Sequence, residues 1–189
     1  MILTNKGLDL PISGAPSADI DSSTTINTIA ILGPDYVGLK PTMLVKEGDT
    51  VSSGQKLFED KKNPGTYITS PSSGVVESIN RGEKRRFLSI TIDVDDSIEP
   101  TKFIAADYET PVKFLVDTGA LSYFKTRPYN RIPNKEDLPN AIFINACDTN
   151  PLAIDPFYLV KEDQELFNSG LAYISSINKD AKTYCAFQN

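Results

Sequence analysis

Between Thr28 and Val94 the chain carries short β-branched runs set between turn residues: Thr28 to Leu32, Met43 to Val45, Lys56 to Phe58, Thr66 to Thr69, Val75 to Ile79 and Phe87 to Val94. Strands this short and this frequent predict a small all-β unit with tight corners, two of them at Glu47-Gly48-Asp49 and Asn80-Arg81-Gly82. Ahead of it, residues 1–27 read as an extended segment, because Pro11, Gly14, Pro16 and the Ser22 to Thr25 run interrupt regular structure.

After Pro100 the period changes. Pro111, Val112, Phe114, Leu115, Leu121 and Phe124 recur at helical spacing, with Thr110 as N-cap and Pro111 in the first helical position. They predict a helix of about four turns. Pro128 and Pro133 stop it and leave Thr126 to Leu138 as a stiff, irregular loop carrying Arg127, Arg131 and Lys135. Ala141 to Asn145 is apolar without alternation, which predicts a strand buried on both faces. A second helix is expected from Asp155-Pro156, with Leu159, Val160, Leu166, Leu171 and Ile174 on its apolar positions. Thr183 to Phe187 reads as the next parallel strand. The division expected is therefore an extended segment over 1–27, a β domain over 28–100 and an α/β domain over 101–189. A βαβ unit with only two strands is too small a sheet, so a fragment of a longer protein is expected.

Composition narrows the chemistry. The chain has 189 residues, of which 40% are hydrophobic and 23% charged, enough apolar surface for a folded protein. A net charge of −6 is a poor balance for neutralising phosphates, so nucleic acid is not an expected partner. There is no histidine and there are two cysteines, Cys147 and Cys185. Zinc, iron-sulfur and Ser-His or Cys-His chemistry therefore cannot be assembled, and neither a metal site nor a catalytic residue is expected. Both thiols are read as free, in a reducing compartment. The start shows no basic stretch followed by a long apolar run, and runs such as Ala30 to Leu32 fall far short of the ~20 residues a bilayer requires. Membrane association is expected only through a partner.

Lys40 to Val76 (KPTMLVKEGDTVSSGQKLFEDKKNPGTYITSPSSGVV) resembles a biotinyl/lipoyl-type barrel-sandwich hybrid, with Gly48 and Gly74 at corners and Val45, Val51, Leu57 and Val75 directed inward. The resemblance places Asn63 where a carrier domain has its acylated lysine, with Lys61 and Lys62 out of register. A structural role is the expectation, and a biotinyl/lipoyl-like adaptor the alternative.

The opening MILTNKGLDLPISGAP, the loop Thr126 to Pro133 (TRPYNRIP) and the stretch Ile142 to Pro156 (IFINACDTNPLAIDP) make the chain, over essentially its whole length, similar to the NqrA family of the Na+-translocating NADH:quinone oxidoreductase. The resemblance implies a barrel-sandwich hybrid followed by an incomplete Rossmann-like α/β domain. It also implies a peripheral subunit on the cytoplasmic face of the bacterial inner membrane, partnered by the other subunits of the complex, membrane-embedded ones included. That complex couples NADH oxidation and ubiquinone reduction to Na+ export. Ubiquinone is the ligand implied; no covalently bound cofactor, FMN or iron-sulfur centre is expected in this fragment.

Val112 to Asp155 resembles, more distantly, the flavin- and NADH-binding subunit of respiratory complex I and the C-type subunit of the Rnf electron-transfer complex, which is the other alternative. Where those flavin-binding relatives carry a Gly-rich loop that brings backbone NH groups to the flavin phosphate, this chain has Lys125, Thr126, Arg127, Pro128, Tyr129 and Asn130. FMN binding in that manner is not expected.

For a quinone the candidate residues are Arg127, Asn145 and Asn150, as donors to the carbonyl oxygens. They would lie between the loops Thr126 to Pro133 and Ala146 to Asp155, at the carboxyl end of a parallel strand where open α/β sheets bind ligands. The plainer expectation is that Asp148 and Asn150 cap that loop and that Cys147 is a small strand-end residue. Tyr67, Tyr123, Tyr129 and Phe143 are spaced as core aromatics, with stacking on a quinone ring as their other use. Asp93, Asp95 and Asp96 are read as a solvated turn.

Overall fold

The computed structural model describes residues 12–17, 19–148 and 150–187. Most of the opening motif, Met1 to Pro11, therefore lies outside the described residues. Two compact units are present. One is Thr24–Leu138; the other joins residues 139–187 to described residues of the segment ending at Ser23.

The first unit holds seven strands in two antiparallel sheets. Strands β1 (Thr28–Leu32), β7 (Phe87–Val94), β6 (Gly74–Arg81) and β3 (Thr50–Val51) form one, in the order β1-β7-β6-β3. Strands β2 (Pro41–Met43), β4 (Lys56–Asp60) and β5 (Tyr67–Thr69) form the other, in the order β2-β4-β5. The sheets share a core of Ile31, Val51, Val76, Phe87, Ile90 and Ile92 from the first and Leu57, Phe58 and Ile68 from the second. Phe58 and Phe87 meet edge to face across it, with centroids 5.2 Å apart.

The expected strands are present, with informative departures. Thr50–Val51 pairs with β6 although no strand is expected there; Val51 is fully buried, and two residues are too few to show an alternation. The run expected at Met43 to Val45 is paired at Pro41–Met43, and the ladder continues through the Leu44 NH, which donates to the Leu57 carbonyl at 2.9 Å. Val75 does not point inward: it is 37% exposed, whereas Val76 is buried. Gly74 occupies the inward position before it, packed so closely on the Asp93 backbone that a Cβ would overlap the carbonyl, and strand alternation then turns Val75 out. Gly48 sits at φ +86 in open space, so its corner demands conformational freedom rather than room.

The expected four-turn helix is shorter and broken. Helix α1 runs over Pro111–Asp117, capped by the Thr110 hydroxyl, which accepts from the Lys113 NH at 3.2 Å. Gly119, at φ +76, ends it, and Ala120–Tyr123 continues as a 3-10 turn with Leu121 buried. A glycine in the left-handed region is a helix terminator, which the continuous apolar spacing concealed.

In the second unit β8 (Ala141–Ala146) pairs in parallel with β9 (Lys182–Phe187), as expected, from Ala141 opposite Lys182 onward. It is not buried on both faces: Ile142 is 7% exposed but Phe143 75%. Phe143 stacks on its register partner Tyr184, centroids 5.0 Å apart, and both rings are exposed. The second expected helix is two helices, α2 (Phe157–Val160) and α3 (Gln164–Ser175). Asp155 Oδ1 accepts from the Phe157 NH at 2.9 Å, as a cap should, but Asp163 takes a non-helical conformation within the polar run Lys161 to Glu165 and restarts the helix. Both cysteines are free.

Candidate functional site

Asn145 lies near the carboxyl end of β8 and Asn150 in the loop that follows, and each is hydrogen-bonded to a near neighbour in the chain. The Cys147 NH and Sγ both donate to Asn145 Oδ1, at 3.3 and 2.9 Å. The Asn150 NH and Nδ2 both donate to Asp148 Oδ1, at 2.9 and 2.7 Å, so this pair caps the loop. Both asparagines are exposed, which leaves the Asn145 amide NH2 open to solvent as a donor.

Arg127 belongs to the other unit. It is exposed in a loop closed by the Thr126 NH donating to the Arg131 carbonyl and the Asn130 NH donating to the Thr126 carbonyl, both at 2.8 Å. The later part of the loop is fastened to the β sandwich: Ile132 packs on the core, and Asn63 Nδ2 donates to the Pro133 carbonyl at 3.0 Å. Three of the aromatics spaced as core residues are on the surface instead, Tyr123 at 82%, Tyr129 at 72% and Phe143 at 75% exposure. Tyr67 is half-buried beneath the Lys56 ammonium, 4.0 Å from its ring centroid.

Two concave surfaces of the β unit flank the segment 33–41. One cavity, of about 230 Å³, is lined by Val37 and Leu39 on one side and Thr126, Tyr129 and Arg131 on the other. The second, of about 610 Å³, lies between the same segment and the β6–β7 hairpin, with Tyr36, Lys40, Arg81, Arg85 and Arg86 in its wall. Tyr36 is half-buried, and burial pushes its hydroxyl pKa up, with Tyr123 and Asp35 adding to the effect. The Lys125 ammonium lies 5.2 Å from the Tyr36 ring centroid and donates to the Ser122 carbonyl at 3.2 Å. Partial burial lowers its pKa, against the opposing pull of Asp35.

The hairpin cavity was not among the sequence candidates. Its signal was present in Arg81-Gly-Glu-Lys84-Arg85-Arg86, a concentration of cations on an acidic chain that looks like an ordinary turn until the strands place it beside Tyr36. Among the described residues no group of three or more His, Cys, Asp or Glu side chains could hold a metal ion. No helix among them is long and apolar enough to cross a membrane.

Comparison with known proteins identifies both halves. Residues 2–95 match the family model of the NqrA N-terminal barrel-sandwich hybrid domain, and residues 106–189 that of the NqrA second alpha/beta domain. The NqrA subunit of the Na(+)-translocating NADH-quinone reductase of Actinobacillus pleuropneumoniae (serotype 5b, strain L20) is 46% identical over 184 residues, covering 94% of this chain and 41% of the relative. The protein of the same name from Haemophilus influenzae (strain PittGG) shows 46% identity with the same coverage. That of Alcanivorax borkumensis is 41% identical, over 100% of this chain and 44% of the relative. The chain thus spans about two fifths of the length of these relatives. With two consecutive family domains matched in order and identity sustained across both, the chain belongs to the NqrA family.

Proposed function

We propose that this chain acts as the first two domains of the NqrA subunit in a Na+-translocating NADH:quinone reductase, a peripheral part of a complex that couples NADH oxidation and ubiquinone reduction to Na+ export. The observation that carries the reading is 46% identity to the NqrA subunit of such an enzyme over 94% of the chain. This reading assigns the chemistry of NADH oxidation to other subunits; the chain has no histidine, and its two cysteines are free. The partners are the other subunits, membrane-embedded ones included, on the cytoplasmic face of the bacterial inner membrane.

Ubiquinone is the ligand this reading brings to the chain; the candidate donors to its carbonyl oxygens are Asn145 and Asn150 in one unit and, separately, Arg127 in the other. The Asn145 amide is suited to that use, since its oxygen is already occupied by Cys147 and its NH2 remains to donate. FMN is not a ligand in this reading: Lys125 to Asn130 fill the place of a glycine loop with side chains, and Thr126 and Asn130 spend backbone NH groups closing the turn.

An affinity-tagged chain expressed in its own cells tests the assembly. Detergent-solubilised membranes should yield, with the tag, an NADH:quinone reductase activity stimulated by Na+; recovery of the tagged chain alone would overturn the reading. For the ligand, a short-chain quinone titrated against the chain should shift the amide resonances of residues 126–133 and 145–150. Shifts confined to other surfaces, or none at millimolar quinone, would remove the site from these domains.

A further inference from the structure

The β6–β7 hairpin is built against local preference. Its turn, Glu83 to Arg86, is closed by the Arg86 NH donating to the Glu83 carbonyl at 3.1 Å, and both central residues take positive φ, Lys84 at 53° and Arg85 at 61°. That geometry is a type I′ turn, for which Asn-Gly is the favoured pair, because a side chain with a Cβ crowds the backbone in the left-handed region. Two long cations occupy it instead. With Arg81, Arg86 and Lys40 they give the 610 Å³ cavity five basic walls and no acidic one. Among the described residues none of these five is ion-paired. Local strain retained at an exposed turn, with unpaired like charges gathered around a hollow, points to a use for the charges.

Apolar side chains stand beside the cations. Val37 lines the cavity and is 49% exposed; Leu32 and Leu88, next in the chain to the lining residues Gly33 and Phe87, are 47% and 39% exposed. A site for a soluble anion has no need of them. Cations interleaved with exposed aliphatic residues match the headgroup and acyl boundary of an anionic bilayer. We propose that the β6–β7 hairpin and the segment 33–41 form a docking surface for acidic phospholipid, with a headgroup phosphate received in the cavity among Lys40, Arg81, Arg85 and Arg86. The proposal rests on charge and shape within one unit rather than on the family assignment, so its failure would leave the proposed function standing.

Sedimentation of the chain with vesicles of phosphatidylcholine, with and without phosphatidylglycerol, tests this at about 0.1 M salt. Binding is expected only with phosphatidylglycerol and should weaken as salt is raised. The variant Lys84→Asn/Arg85→Gly places the favoured pair in the turn while removing two charges. It should melt no lower than the parent and lose about tenfold or more in vesicle affinity. Lys179→Asn/Lys182→Asn, with the same loss of charge elsewhere, should bind as the parent does. The proposal is overturned if the chain binds both kinds of vesicle equally or neither, or if the turn variant binds undiminished. It is also overturned if millimolar inorganic phosphate at constant ionic strength displaces the chain, which would assign the cavity to a soluble phosphate, or if only an acidic polypeptide binds.

Discussion

Lys56 Nζ lies 3.0 Å from Asp117 Oδ1 and 4.0 Å from the centroid of the Tyr67 ring, so a single ammonium ties strand β4 to helix α1 and covers the neighbouring strand. Both charged side chains are 35% exposed, so water screens the pair. Asp117→Asn should lower stability in urea by no more than about 1 kcal/mol, and the loss should shrink at high salt. A larger, salt-independent loss would show that the pair is more deeply desolvated than its exposure indicates.

Gly119 should tolerate alanine poorly. Its φ of +76 disfavours a Cβ, and a Cβ there would stand 2.6 Å from Thr69 Oγ1. Gly119→Ala should cost roughly 2 kcal/mol or more in chemical denaturation. Adding Thr69→Ala should recover only the steric share, because the backbone conformation remains unfavourable. A cost near zero would mean that the break after α1 is not imposed by this residue.

Alkaline stability should depend on Tyr36. Burial holds its hydroxyl pKa above the ordinary 10.0, so the folded state keeps the proton longer than the unfolded chain does. That contribution is complete below about pH 10 and is lost as pH rises through the folded value. Lys125 acts in the opposite sense: its folded pKa lies below 10.5, and its penalty is relieved as pH approaches that value. Tyr36→Phe should therefore flatten the fall in stability above pH 10 without altering the neutral range. An unchanged alkaline limb would count against Tyr36 as its source.

The inner face of the sandwich can be read by truncation. Leu57 is fully buried, and Leu57→Ala should cost about 2–5 kcal/mol through lost burial and the cavity left behind. Val75, 37% exposed, should lose less than about 1 kcal/mol on the same change. Comparable losses at the two sites would contradict the alternation along β6.

Much of the architecture was legible in the chain because its signals are local. The strand Phe87–Val94, the cap at Thr110 followed by Pro111, and the parallel pairing of β8 with β9 follow from β-branched runs, capping chemistry and an apolar strand flanked by helices. Other features depend on neighbours that spacing does not reveal. Thr50–Val51 is a strand because β6 lies beside it, and Val75 faces water because Gly74 must pass close to Asp93. The apolar row from Val112 to Phe124 suggests one helix, yet Gly119 turns it, and Phe143 lies open beside Tyr184 although its strand has the composition of an interior one. For the candidate sites the separation is sharper. Arg127, Asn145 and Asn150 could be chosen for their donors because donor chemistry belongs to the residue type. A cavity walled by Lys40, Arg81, Arg85 and Arg86 exists only once strand pairing carries the hairpin back beside residues 33–41, since concavity is a property of distant segments and not of any one of them.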